Sequence, residues 1–105
     1  MMDELKNALL STGYSFAHHA WSSAPQGDYG VWAEDSQGGS VWGDGKMLNQ
    51  SIQGTIDYFT RDDSASPRTV IQSALDNAGI SFYLNTVQFE DDTGYIHYEW
   101  VFEVV

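Results

Sequence analysis

Imidazole titrates near neutrality and is the commonest transition-metal ligand, so the three histidines are the first place to look for chemistry. His18 and His19 are adjacent, and His97 lies far along the chain. Neighbours in an extended strand point to opposite faces, which predicts that His18 and His19 cannot hold one ion together. His97 could join one of them across the sheet, but spacing suggests no further ligand, so all three read as ordinary strand histidines. The paired carboxylates Glu34-Asp35, Asp62-Asp63 and Asp91-Asp92 each fall at a predicted turn, where acidic side chains bond the local backbone. Calcium-loop spacing is absent, and no pairing favours a glycosidase-type acid couple. There is no cysteine and no G-x-S-x-G elbow. Gln37-Gly38-Gly39-Ser40 lacks the lysine and helix that a phosphate loop requires. The expectation is a protein that is not an enzyme, with no catalytic or metal residues and no cofactor.

Charge narrows the partners. Fifteen carboxylates face four bases, Lys6, Lys46, Arg61 and Arg68, for a formal net charge of −11. Binding phosphates needs a basic patch, so tight direct nucleic-acid binding is excluded, and an anionic membrane surface is disfavoured. No apolar run approaches the roughly 20 residues of a membrane span, and the N-terminus lacks the pattern of a signal peptide. With 105 residues, 42% of them hydrophobic and 14% aromatic, the chain reads as a single domain over 1–105 with a real core. The lack of cysteine makes an intracellular setting the default. A protein partner, a cation, or a surface that must not stick to DNA remains.

The elements that must position these residues follow from periodicity. Leu5, Ala8, Leu9 and Thr12 predict a short helix over 3–12, ended by Gly13. Residues 14–21 read as a strand with Tyr14, Phe16, His18 and Ala20 on one side and Ser15, Ala17, His19 and Trp21 on the other. A turn with Pro25 and Gly27 leads to a strand over 29–34, with Tyr29, Val31 and Ala33 opposite Trp32. Residues 35–46 are expected to be a Gly-rich loop containing a brief hairpin. A single strand is predicted over 48–60, with Leu48, Ile52, Ile56 and Tyr58 against a wet face of Asn49, Ser51, Gln53, Thr55 and Asp57. Gly54 suggests a bulge or a close backbone approach. Ser66 as cap, Pro67 in the first turn and an apolar stripe of Val70, Ile71, Ala74, Leu75 and Ala78 predict a helix ended by Gly79. A hairpin follows, turning at 90–94. Phe82 and Leu84 oppose Tyr83, Val87 and Phe89 on its first strand. Ile96, Tyr98, Trp100, Phe102 and Val104 make the apolar face of its second, with Glu99 and Glu103 pointing away. The fold class is α+β, an antiparallel or mixed sheet with two helices packed on one face.

Trp21, Trp32, Trp42 and Trp100 are a high count for this length. Trp100 belongs to a core face. Trp42 sits between glycines, so it is either a local anchor or an aromatic offered to a partner.

The order of these elements, with Gly13-Tyr14-Ser15-Phe16-Ala17-His18, Ala24-Pro25-Gln26-Gly27-Asp28-Tyr29-Gly30-Val31-Trp32, Ile52-Gln53-Gly54-Thr55-Ile56-Asp57-Tyr58-Phe59-Thr60 and the helix ending Ala74-Leu75-Asp76-Asn77-Ala78-Gly79-Ile80, resembles the small tail-terminator or tail-completion (head–tail joining) proteins of long-tailed bacteriophages and their prophage relatives. The likeness spans nearly the whole chain as pattern and element order. It implies self-association into a ring, typically a hexamer, that caps the tail tube and meets the head connector. It also implies residence in the virion tail, and in host cytoplasm during assembly, with no cofactor or catalytic residues. The Gly-rich loop and the short chain depart from what is diagnostic of that family. The interface is expected at an exposed sheet edge, at the loop bearing Trp42, Asp44 and Lys46, and on the acidic face of Asp57, Glu99 and Glu103. The alternative on charge alone is an acidic binding module or DNA mimic that occupies a nucleic-acid-binding protein. A small hydrolase would need acids or histidines to converge from distant segments.

Overall fold

A computed structural model describes residues 2–23, 25–37, 41–43, 46–49 and 51–104, with 36, 37, 41–43 and 46–49 described at the backbone. In chain order the elements are α1 (Met2–Ser11), β1 (Phe16–His18), β2 (Tyr29–Gln37), β3 (Val41–Gly43), β4 (Lys46–Asn49), β5 (Ile52–Thr60), α2 (Ser66–Asn77), β6 (Ser81–Phe89) and β7 (Ile96–Val104). Five strands form one mixed sheet in the order β1-β2-β5-β7-β6, and β3 and β4 pair separately. Only β1 and β2 run parallel within the five-stranded sheet. This is the expected α+β class. No helix among the described residues is long and apolar enough to cross a membrane.

Alternation along the two central strands sets the core. Ile56 and Tyr58 of β5, with Tyr98, Trp100, Phe102 and Val104 of β7, turn to one side and are buried. Against them pack Leu5, Ala8 and Leu9 of α1 and Ile71 and Leu75 of α2. Each Leu, Ile, Val or Phe side chain among them contributes about 1.5–3 kcal/mol on leaving water. Trp100 is fully buried, and its indole N–H donates to Gln72 Oε1 at 3.0 Å, so its one polar atom is satisfied.

The helix ends follow local chemistry. Gly13 and Gly79 take positive φ after α1 and α2. Ile80 N–H donates to Leu75 O and Gly79 N–H to Asp76 O, each at 3.0 Å, which is the Schellman closure of a helix. The start of α2 differs from expectation. Ala65, not Ser66, is the cap residue, and no side-chain cap bond forms. Ser64 Oγ instead accepts the Ser66 N–H, and Asp62 Oδ1 accepts the Ser64 N–H. Val70 and Ala78 lie outside the buried stripe, which is Pro67, Ile71 and Leu75.

Three strand expectations are corrected. The strand expected over 14–21 is only Phe16–His18, because His19 takes φ 72° and turns the chain. The strand expected over 48–60 divides, with Leu48 in β4 and Ile52 opening β5. In β6 the register shifts between Leu84 and Thr86, so Val87 faces Tyr98 and Phe89 faces Ile96. Opposed residues share a face, so this bulge carries Val87 and Phe89 to the helix side of the sheet, with Phe82 and Leu84.

Gly54 answers its expectation. β2 bulges between Glu34 and Ser36 opposite it, and a Cβ there would collide with the Ala33 carbonyl oxygen and lie 2.6 Å from Phe102 Cζ. Gly54→Ala should therefore destabilise the fold by about 3 kcal/mol, the upper end for overpacking. The midpoint of chemical denaturation measures it, and an unchanged midpoint would mean the β2–β5 contact is not this tight.

Candidate functional site

Both helices lie on one face of the five-stranded sheet, and the other face carries the odd-numbered residues of β5 and β7. Asp57 and Glu99 stand directly opposite each other on neighbouring strands. Asn85 Nδ2 donates to Glu99 Oε1 at 2.8 Å from the β6 bulge. His97 Nε2 lies 2.7 Å from Asp57 Oδ1, and its Nδ1 is 3.9 Å from Glu90 Oε2. Glu103, on the same face of β7, sits opposite Gln53 and Ser81 and accepts a bond from Ser51 Oγ at 3.0 Å. An aromatic row borders these acids, with Tyr29 stacked on Phe59 at 4.8 Å and Phe59 on His97 at 4.2 Å.

The electrostatics of this face are unfavourable to its own charges. Burial raises the Asp57 carboxyl above the usual aspartate range, and the Glu99 carboxylate adds to the rise; the bond and charge of His97 oppose both without cancelling them. Burial, then Tyr95 and Glu90, raises the Tyr29 phenol. At the end of the sheet the Arg61 guanidinium is engaged internally. Arg61 lies 4.0 Å over the Tyr95 ring and donates to Thr93 O and Gln26 O.

Of the residues expected at an interface, Asp57, Glu99 and Glu103 therefore share one open face. Trp42 and Lys46 belong to the separate β3–β4 pair, where Trp42 opposes Met47 and Gly43 opposes Lys46. The side chains of Trp42 and Lys46, and Asp44 altogether, lie outside the described residues. Sequence reasoning missed His97 and Asn85 as neighbours of the acids, because that depends on a register between distant strands. It expected an exposed sheet edge without saying which strand supplies it. β6 ends the sheet, and its outer side pairs with no strand among the described residues. Tyr83, Val87 and Phe89 on it are 57%, 50% and 64% exposed. The signal was present in the sequence, since Ser81–Phe89 contains no charge and no proline.

A second cluster overturns the reading that His18 and His19 must point apart. His19 N–H donates to Trp32 O at 2.8 Å, and Ala20 N–H donates back to His18 O at 2.9 Å. With the positive φ this is a γ-turn of the strained kind, costing about 1–3 kcal/mol for a residue with a side chain. The turn stacks the His19 ring on His18 at 3.9 Å, and His18 in turn lies on Trp32 at 3.8 Å. Both Nε2 atoms meet Glu34 Oε1, at 2.5 Å for His18 and 3.3 Å for His19. Backbone hydrogen bonding first, and the bond to His18 second, hold the Glu34 carboxyl below its ordinary range.

Two expectations follow. Because the folded Asp57 carboxyl binds its proton more readily than the unfolded one, its ionisation costs stability above the raised value, and that cost vanishes below the ordinary aspartate range. Asp57→Asn should thus stabilise the fold at neutral pH by about 0.5–1 kcal/mol, by removing a charge that burial and the opposed Glu99 both disfavour, with the gain fading as pH falls toward 4. Urea denaturation over a pH series reads this, and a gain that grew on acidification would reverse the sign assigned. At position 19, glycine should exceed alanine in stability by about 1 kcal/mol, since only glycine takes positive φ freely. Equal melting of the two variants would show the turn to be unstrained.

A scan against protein-family models and a search of curated proteins return no match to this chain.

Proposed function

We propose that the protein is a structural subunit that works by assembly and not by catalysis, and that β6 is the contact through which one copy meets the next. The observation that carries this is the edge itself. A nine-residue edge strand offers a row of unpaired N–H and C=O groups, and such edges are ordinarily guarded by lysine, proline or shortness. β6 has no lysine or proline and exposes three large apolar side chains. A chain with net charge −11 repels its own copies, so they can approach only where charge is lacking. β1, the opposite edge of the same sheet, is Phe16–His18 and also bears no carboxylate. Head-to-tail joining of two different edges is the kind of contact that closes into a ring.

Together with the resemblance in sequence pattern, this supports a role in phage tail assembly. In that role a ring, typically a hexamer, caps the tail tube and joins it to the head connector, in the virion and in host cytoplasm during assembly. Asp57, Glu99 and Glu103 then form the surface for a basic group of the tube or connector protein. Opposed carboxylates are a cost in the isolated chain, and a lysine or arginine from the partner offsets it. With only four bases per chain, and Arg61 held within the fold, that cation comes from a different protein.

Light scattering across protein concentration and salt tests the reading. The expected result is a ring-sized mass, alone or on adding tail-tube protein, that is not weakened by salt. Phe89→Lys and Val87→Lys should each weaken assembly at least about tenfold, or 1.4 kcal/mol, with an unchanged thermal melt. A monomer that ignores tube protein but binds a basic partner at low salt would overturn this reading in favour of an acidic mimic.

A further inference from the structure

We infer that His18, His19 and Glu34 form a binding site for a divalent transition-metal ion of the zinc class. The donor atoms of these three side chains all lie within 4.8 Å of one another. Two imidazoles and a carboxylate are the donor set that suits Zn²⁺, Ni²⁺ and Cu²⁺, and they do not suit Ca²⁺ or Mg²⁺, which take oxygen ligands.

The geometry argues for more than a surface ion pair. A salt bridge needs one histidine, and Glu34 already has His18 at 2.5 Å. The second imidazole reaches the same oxygen only through the strained turn at His19, which reverses the direction a strand would give it. In a tetrahedral site with bonds of about 2.0–2.1 Å, neighbouring donors stand about 3.3 Å apart. The His19–Glu34 separation of 3.3 Å already has that value; His18 must open from Glu34 by less than about 1 Å, and the His19 ring, stacked within 19° of His18, must swing out of the stack so that both in-plane Nε2 lone pairs meet one ion.

The surroundings limit how the ligands can move. Trp32, 5% exposed, is a fixed floor under the His18 ring. The bulge between Glu34 and Ser36 sets where β2 presents the carboxylate. Beside His18 a cleft of about 300 Å³, bordered by Asp3, Lys6, Leu9, Leu10 and Phe16, opens the site to solvent. Three protein donors leave a fourth position for water or for a group from another molecule. The inference does not depend on the assembly reading, because all three donors belong to one chain.

Zn²⁺ titrated calorimetrically into the full, untagged chain is the test. One saturable equivalent per chain is expected. His18→Ala, His19→Ala and Glu34→Gln should each weaken it at least tenfold. His97→Ala removes the other histidine paired to a carboxylate and should leave it unchanged. His19→Gly keeps the turn without strain, so it should lose the zinc while the apo protein melts no lower than wild type. Zn²⁺-induced shifts of the ring nitrogens in long-range ¹H–¹⁵N spectra should fall on the Nε2 atoms of His18 and His19. Zinc binding that survives loss of both histidines, that disappears with His97→Ala, or that never saturates would overturn the site.

Discussion

The antiparallel pairing of β5 with β7 is the constraint on which the rest depends. Nine residues on each strand align without a slip, from Ile52 opposite Val104 to Thr60 opposite Ile96. Side-chain period in a strand is two, so this one register decides both faces at once. It places Ile56 against Trp100 and Tyr58 against Tyr98 beneath the helices, and by the same step it sets Asp57 against Glu99 on the far side. A slip of one residue would bury the acids and expose the tryptophan. The core thus enforces an acid pair that local electrostatics would disfavour, and Trp100 and Ile56 outweigh a repulsion of less than about 1 kcal/mol.

Outside this pair the sheet becomes less regular, and each irregularity redirects side chains. β2 bulges after Glu34, β6 bulges around Asn85, and β1 stops at the turn of His19. A bulge inserts a residue and exchanges the faces beyond it. In β6 that exchange moves Val87 and Phe89 to the helix side, yet both remain at least half exposed. They therefore form apolar surface on the rim of the sheet without completing the core. At the other rim, Phe16 lies over Gly30, where a Cβ would collide with its ring, and His18 continues that stack over Trp32. One rim is filled by aromatic packing, and the other carries apolar side chains exposed among the described residues.

How much of this was legible in the sequence divides along the range of the interactions involved. The α2 stop at Gly79, the hairpin turning before Tyr95 and the inward face of β7 depend on neighbours within a few residues, and each was read from spacing. Gly54 announced a close approach because only glycine tolerates the Ala33 carbonyl there. Parity alone sent Asp57, Glu99 and Glu103 to one side of their strands. What parity could not supply was their opposition, since Asp57 and Glu99 are brought together by long-range pairing. His19 and Asn85 escaped for a different reason. Both depart from regular strand geometry without a glycine to mark them, so an alternating pattern runs through each position uninterrupted. The Ser66 cap failed because the helix begins one residue earlier: Ala65 O accepts the Thr69 N–H, which puts Ser66 inside the first turn.

The two surfaces left over differ in what they ask of a partner. Charged residues make up 18% of the chain, so a nine-residue strand carries about one or two by composition, and the lack of charge on β6 is weak as a signal by itself. Exposure gives it weight, because Phe89 and Val87 lose more by facing water than a charged residue would. An edge of this kind selects by backbone pairing and apolar contact, which identical subunits can supply. The Asp57–Glu99 face selects by charge, which an acidic copy cannot supply. On the assembly role proposed above, like copies would join along the rim and an unlike, basic protein across the face, and the register of β5 on β7 keeps those two surfaces apart.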